Sequence, residues 1–366
     1  MIPCSKTRGS SWPPRLLIHS LIGRKGKCEM KLKEKYLTNP DAITELLNEQ
    51  MQHFGINGIS MAMIHEGDIC YQTVLGVKNP EGEPMTEDTL NESASLTKTL
   101  FGTLVMRMVQ EGKIDLDRPI MDVYRGKPWS EDPRFLTITP RQCLSHGCGM
   151  PNWQEKPIDI LFDPGTKYSY SGEGYFLLQH MIEQEEGKDL TALFKEYFLE
   201  PLGMYRTTAT WTPEVYEQFS CGFGVDGEVV KVRDKRRTEG NAPEPCAAWS
   251  LYGNAFEMVK FQQYMIREHG GLNDEVFSEM HKAQNWATDE IPWGLGWGLT
   301  KKDPGILWHW GDNSGFESFS ILDWKTGDAI IIYTNSDRGS ALWNAVVSEM
   351  TDAPMEDITE FVKIAE

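Results

Sequence analysis

Apolar runs with strand character stand near both ends of this chain, and runs of helical period fill the middle. Residues 59–64 and 69–75 are apolar, β-branched-rich runs joined by Glu66-Gly67-Asp68, the pattern of a hairpin. Strand-like runs return only after Trp293, at 294–299, 306–310, 316–322 and 329–335. Helical spacing marks 41–54, 176–186, 190–198, 255–267 and 341–350. This order predicts an α+β fold. One antiparallel sheet is built from the N- and C-terminal segments, with helices on its faces and an inserted all-helical subdomain. The expected division is a single domain over 36–366, with a sheet lobe from 36–114 and 291–366 and a helical lobe over 115–290. A cleft between the lobes is the expected site.

At 366 residues and 40% hydrophobic content, the chain can bury a sizeable core. Its formal net charge of −18 argues against nucleic-acid and anionic-membrane partners, because an acidic surface repels phosphate. No apolar run is long enough to span a bilayer. The seven cysteines are odd in number and include no Cys-x-x-Cys pair, so neither a disulfide framework nor a zinc site is expected. Cys143 and Cys148 could pair, but free thiols in a reducing compartment fit better. The first 29 residues carry Lys6, Arg8, Arg15, Arg24, Lys25 and Lys27 against the single acid Glu29, and make a poor signal peptide. Residues 1–35 are expected to be a disordered or non-native extension, with Met30 as an alternative start. The missing signal peptide points to the cytoplasm. Nothing in the sequence fixes an oligomeric state.

Chemistry concentrates in residues 91–101, Asn-Glu-Ser-Ala-Ser-Leu-Thr-Lys-Thr-Leu-Phe. Leu96, Leu100, Phe101, Leu104, Val105, Met108 and Val109 recur at helical spacing, and Gly112 follows where a helix end favours a left-handed residue. Ser95 then sits in the first turn of a buried helix, with Lys98 one turn on along the same face. A serine hydroxyl attacks only once its proton is taken, and a lysine can take it when burial lowers its pKa. The helix N-terminus offers N–H groups to an oxyanion. Ser-x-x-Lys alone also fits a plain helix start with a solvated lysine, but it occurs once in this chain.

Four further segments agree with one family. They are residues 138–150 (Ile-Thr-Pro-Arg-Gln-Cys-Leu-Ser-His-Gly-Cys-Gly-Met), 163–172 (Asp-Pro-Gly-Thr-Lys-Tyr-Ser-Tyr-Ser-Gly), Pro201-Leu202-Gly203-Met204 with Thr207, and 308–316 (Trp-His-Trp-Gly-Asp-Asn-Ser-Gly-Phe). With Ser95-x-x-Lys98 they make the chain resemble the serine β-lactamase and penicillin-binding-protein-like hydrolases, on the class C β-lactamase, DD-peptidase and family VIII esterase side. The resemblance implies acyl transfer through a serine ester and no cofactor or metal. Ser95 would be the nucleophile, Lys98 its activator and Tyr170 a partner in proton transfer. The backbone N–H groups of Ser95 and Asp312 would form the oxyanion hole. Gly172, His309, Trp310 and Gly311 would contact substrate.

Literal matching of the motifs points elsewhere. Tyr252-Gly253-Asn254 and Tyr333-Thr334-Asn335 spell Tyr-x-Asn, and Lys325-Thr326-Gly327 spells Lys-Thr-Gly. The first follows Pro245-Cys246-Ala247-Ala248-Trp249-Ser250, which resembles a structural segment of the family. The second closes an apolar run, and the third reads as a hairpin turn. Gly172 stands in place of the motif asparagine, Trp310 in place of a hydroxyl residue and His309 in place of a lysine. These departures lower the fixed positive charge and remove an amide. They favour an esterase or amidase acting on a small ester or amide over a β-lactamase or D-specific peptidase acting on a β-lactam or peptide. A non-catalytic penicillin-recognising protein is the remaining alternative. Trp286, Trp293, Trp297 and Trp308 read mainly as core, with Trp310 set apart by its motif position. His146 reads as a packing or hydrogen-bonding residue; that Glu173, next to the tyrosine motif, replaces some polar function of the lost asparagine is the weaker of its readings. No Gly-x-Ser-x-Gly elbow and no His-x-x-x-His cluster supports another hydrolase class.

Overall fold

A computed structural model describes residues 29–365. At its centre is an antiparallel sheet of eight strands. Their spatial order is Asp68–Gly76, Gly58–His65, Asp328–Thr334, Phe316–Asp323, Ile306–Asn313, Gly298–Leu299, Pro292–Trp293 and Asn285–Trp286. The N- and C-terminal segments meet between its second and third strands, with Ile59 opposite Thr334 and Ile64 opposite Ala329. The fold is the α+β arrangement that the order of runs predicts.

Period-two alternation sends each strand's side chains to two cores. Ile59, Met61 and Met63 pack with Phe319, Ile321, Ile330 and Ile332 against helices Pro40–Phe54 and Gly339–Met350. Ala62 and Ile64 join Ile331 and Tyr333 on the other face, under helices Thr97–Gln110 and Ala255–Glu268. A sheet covered on both faces reads in sequence as nearly continuous apolar runs, which is why these strands stand out. Helix Pro40–Phe54 carries Pro at its start and ends at Gly55, whose φ of +69° lets its N–H close on the Met51 carbonyl.

The structure departs from the sequence expectations in three places. Packed structure begins before Lys35. Met30 is fully buried, its N–H donates to Asp323 (3.2 Å), and Thr326 Oγ1 donates to its carbonyl (3.0 Å). Leu32 is buried and bridges Thr351. The apolar pair and the acceptors of the 323–328 turn outweigh the basic composition upstream, and residues 1–28 lie outside the described residues. Of the run 294–299 only Gly298–Leu299 is strand; a second short strand, Pro292–Trp293, lies before it, and the chain turns between them at Gly296 (φ +91°). The chain turns there because the backbone of helix Thr97–Gln110 comes close: a Cβ on Gly102 would lie 2.8 Å from Gly296 Cα. A last helix, Met355–Ala365, was not anticipated, although buried Met355, Ile358, Phe361 and Val362 carry its period.

Lys325-Thr326-Gly327 does form the turn between strands Phe316–Asp323 and Asp328–Thr334, with Gly327 at φ +79°. Cys70, Cys143, Cys148, Cys221 and Cys246 are free thiols. No helix among the described residues is long and apolar enough to cross a membrane.

Candidate active site

The sheet fixes the segment that carries Ser95. Ser93 N–H donates to the Leu251 carbonyl (2.7 Å), Ser318 Oγ donates to the Ser93 carbonyl (2.9 Å), and the Ser93 and Tyr333 hydroxyls share a hydrogen bond (2.9 Å). A short 3-10 turn, Ala94–Leu96, then leads into helix Thr97–Gln110, and Thr97 Oγ1 donates back to the Ala94 carbonyl (2.7 Å). Ala94 holds a φ of +47°, a conformation costly for a residue with a Cβ and kept here by those surrounding bonds. Of residues 91–100 only Ser95 is not fully buried. Its place in the first turn leaves nearby N–H groups without intrahelical acceptors.

Gly311 lies directly beneath this turn. A Cβ there would stand 2.5 Å from Ser318 Oγ and 3.0 Å from Ala94 Cβ, and closer still to the Ser93 carbonyl oxygen. Gly311→Ala must therefore push residues 93–95 off the sheet. The expected result is a loss of about 1–3 kcal/mol in denaturant unfolding, together with a fall in activity larger than that stability loss produces at assay temperature. A variant as active and as stable as the parent contradicts the contact.

Lys98 is 1% exposed, and its Nζ donates to Ser95 Oγ (3.0 Å) and to the Ala248 carbonyl (2.8 Å). It lies 4.8 Å from the centroid of the Tyr170 ring and 5.4 Å from that of Tyr175. Burial lowers its pKa to about 7, with the Cys246 thiol opposing slightly. Burial moves the Tyr170 phenol the other way, well above its ordinary value; the Ser95 hydroxyl beside it pulls back and Asp312 adds to the rise. The phenol makes no hydrogen bond of good geometry in this resting arrangement. Ser95 and Lys98, one helical turn apart, thus meet Tyr170 from a distant part of the chain, with Lys98 Nζ in hydrogen-bond reach of Ser95 Oγ and against the Tyr170 ring.

The competing tyrosines lie elsewhere. Tyr252 is buried in a separate cluster against Trp211 and Phe219, and Tyr333 is the core residue that bonds Ser93. His309 is fully buried, and its Nδ1 sits 2.6 Å from the Trp310 carbonyl. That bond makes Nδ1–H the donor and leaves Nε2 as a bare lone pair. Burial first, then the Lys98 charge, lowers the His309 pKa to about 3, so the imidazole is neutral. Trp310 is 5% exposed and packs on Phe361 (5.5 Å) and Tyr170 (5.1 Å), which makes it more a core residue than a wall of an open cleft. Trp293, Trp297 and Trp308 are core as well, while Trp286 is exposed. Asp312 lies near the end of strand Ile306–Asn313, which beyond Trp308 pairs on one side only.

His146 stacks on Tyr170 (4.2 Å between ring centroids) and its Nδ1 accepts the Ser171 N–H (3.1 Å), the packing role its segment suggested. Gly172 starts helix Gly172–Glu186, and the space over it is filled by Trp153. The Ala248 acceptor and the Asn152-Trp153 pair were missed from sequence. Ala248 lies in the segment 245–250, but a backbone carbonyl's role leaves no mark on residue type. Asn152 and Trp153 stand in a loop without periodicity.

A family model described as Beta-lactamase matches residues 43–345. Penicillin-binding protein 4 of Amycolatopsis lactamdurans is 23% identical over 350 residues, covering 83% of this chain and 88% of that protein. Esterase EstB of Burkholderia gladioli is 23% identical over 344 residues, covering 76% of this chain and 86% of that one. Among solved structures, the octameric penicillin-binding protein homologue from Pyrococcus abyssi aligns with a TM-score of 0.68 at 21% identity, over 82% of this chain and 74% of that chain.

Proposed function

The chain belongs to the beta-lactamase family and is a serine hydrolase, and on that premise we propose that it cleaves small neutral esters through an acyl intermediate on Ser95. The observation that carries this reading is the buried Lys98 ammonium, 3.0 Å from Ser95 Oγ, with a pKa of about 7. Near neutral pH a large fraction of Lys98 is uncharged, and the hydrogen bond then reverses, with the Ser95 hydroxyl donating to Nζ. Nζ takes the proton as Oγ attacks the ester carbonyl. The N–H groups of Ser95 and Asp312 receive the negative charge on the carbonyl oxygen. As the tetrahedral centre collapses, the leaving alkoxide takes a proton from the Tyr170 hydroxyl, which Lys98 re-supplies. Water enters by the same route to release the acid. Tyr170 suits the donor role better than the base role, because burial holds its phenol protonated.

Substrate charge follows from the groups near Ser95. His309 is neutral and Trp310 is turned into the core against Phe361, so neither anchors a carboxylate. Asp312, whose charge acts on Tyr170, is an acid. This balance favours a neutral ester over a penicillin or a peptide with a free C-terminus. EstB, an esterase by its name, is among the similar proteins, and so is a penicillin-binding protein.

Intact-protein mass spectrometry after exposure to a fluorophosphonate and to a penicillin, with peptide mapping and a p-nitrophenyl ester assay, tests the reading. The expected result is a fluorophosphonate adduct on Ser95 and ester turnover at least ~10²-fold faster than penicillin turnover, the size of discrimination a missing polar anchor produces. Fast penicillin turnover makes the protein a β-lactamase instead. No adduct and no turnover makes it a non-catalytic binding protein.

A further inference from the structure

Two residues beyond Tyr170, the peptide at Gly172 lies under an indole. A Cβ built on Gly172 would be 2.6 Å from Cη2 and 2.7 Å from Cε2 of Trp153, and closer still to Cζ2. The six-membered ring of Trp153 therefore fills the volume into which any other residue at 172 would project.

The loop that delivers the indole is tied to the start of helix Gly172–Glu186. Ser171 Oγ donates to the Pro151 carbonyl (2.8 Å). Gly172 N–H donates to Asn152 Oδ1 (2.9 Å), and Glu173 N–H donates to the Asn152 carbonyl (3.2 Å). Gly174 N–H donates to Ser171 Oγ (3.1 Å), and the Glu173 carboxylate accepts the Gln154 N–H (3.2 Å). The first N–H groups of a helix ordinarily offer a site for an anion or a carbonyl. Here three of them are already bonded within the protein, so that end of the helix has little left for a polar part of a substrate.

What stands there instead is Trp153, 44% exposed although an indole is among the side chains most strongly driven to burial. The indole is connected to the chemistry through the residues it covers. Tyr170, two residues before Gly172, lies against Lys98, and Lys98 and Glu173 both act on the Cys246 thiol. Burial raises the Glu173 carboxyl, and Lys156 is the cation that opposes the rise. The nitrogen of Lys156 sits over the Trp129 ring at 3.4 Å.

We infer that Trp153 is a specificity-determining residue of the Ser95 site: its exposed indole face takes a neutral apolar group of the substrate, an alkyl chain or an aryl ring, in the place where a side chain at residue 172 would have offered a polar contact. This rests on the reading of Ser95 as the acylated nucleophile. The substrate class narrows accordingly, to esters with an apolar group beside the reacting carbonyl and without an amide or charge there.

The test compares the parent enzyme with Trp153→Ala, Trp153→Phe and Trp153→Gln. Each is assayed for kcat/KM on p-nitrophenyl acetate, butyrate, hexanoate and phenylacetate, and for the rate of fluorophosphonate labelling at Ser95. The parent should prefer hexanoate and phenylacetate to acetate. In Trp153→Ala and Trp153→Gln the hexanoate-to-acetate and phenylacetate-to-acetate ratios should fall about tenfold, the discrimination a lost apolar wall produces. Trp153→Phe should keep most of the preference, which a merely structural role for the loop does not explain. Ser95 labelling with unchanged ratios in all three variants overturns the inference and leaves the nucleophile assignment standing. Parallel loss on every ester, acetate included, also overturns it, since that marks a damaged loop. Absence of label on Ser95 in the parent removes the nucleophile reading and this inference with it.

Discussion

On the proposed mechanism, Ser95→Ala should lower ester turnover by at least about 10⁴-fold and abolish the fluorophosphonate adduct, while thermal unfolding should stay close to that of the parent. The size of the effect follows from covalent catalysis: without Oγ no acyl ester can form. Retention of the fold follows from the bonding. Ser95 Oγ pairs with Lys98 Nζ, and in the variant Nζ keeps its second acceptor, the Ala248 carbonyl at 2.8 Å. The turn itself is held by Ser93 and Thr97, which the substitution does not touch. Ser93 is the nearest serine in sequence, but it is fully buried and bonded to Tyr333, so it cannot take over. Initial rates on p-nitrophenyl butyrate, mass mapping and a melting curve check all three parts. Turnover that survives, or an adduct that moves to another residue, ends the assignment of Ser95.

Periodicity and local chemistry made part of this molecule readable in advance. Residues 59–64 and 329–335 are apolar because both faces of their strands are covered, so the seam joining the chain ends was visible as two such runs. Ser95 and Lys98 were readable because one helical turn brings them together whatever surrounds them. The choice of Tyr170 over Tyr252 and Tyr333 came from flanking residues, and the structure puts Tyr170 against Lys98 and the other two in core positions. What stayed hidden was tertiary. The two-residue strands around Gly296 exist because Gly102 approaches from another element. The Ala248 carbonyl and the Trp153 indole act through placement, which no local pattern records. Helix Met355–Ala365 is the exception, since Met355, Ile358, Phe361 and Val362 already spell its buried stripe. Trp310 shows the converse: its motif position pointed to an open cleft, but alternation along its strand sends the ring toward Phe361 and the core.

The Lys98→Met variant separates chemistry from stability, because the two change in opposite directions. Activity should fall by at least ~10²-fold, the usual contribution of a positioned general base. In the parent, kcat/KM should rise with pH through about 7 and then level, as Lys98 loses its proton. The variant's residual rate should lack that limb. For stability, the native pKa of about 7 lies below the unfolded value of 10.5. Between those two values the unfolded chain holds a proton that the native state does not, so this group's contribution to stability rises with pH across that window. Below about pH 7 both states are protonated, and folding bears the full cost of burying a cation. Removing the amine should therefore stabilise the protein, by on the order of a few kcal/mol at pH 6 and by progressively less toward pH 10. Lost hydrogen bonds to Ser95 and Ala248 reduce the gain without altering its pH dependence. Denaturant melts of both proteins at pH 6, 8 and 10 read that slope directly. A stability difference that does not change with pH means that Lys98 keeps an ordinary pKa. A lysine fully charged at neutral pH cannot take the serine proton, so the same melts that test the burial of Lys98 also test its role as base.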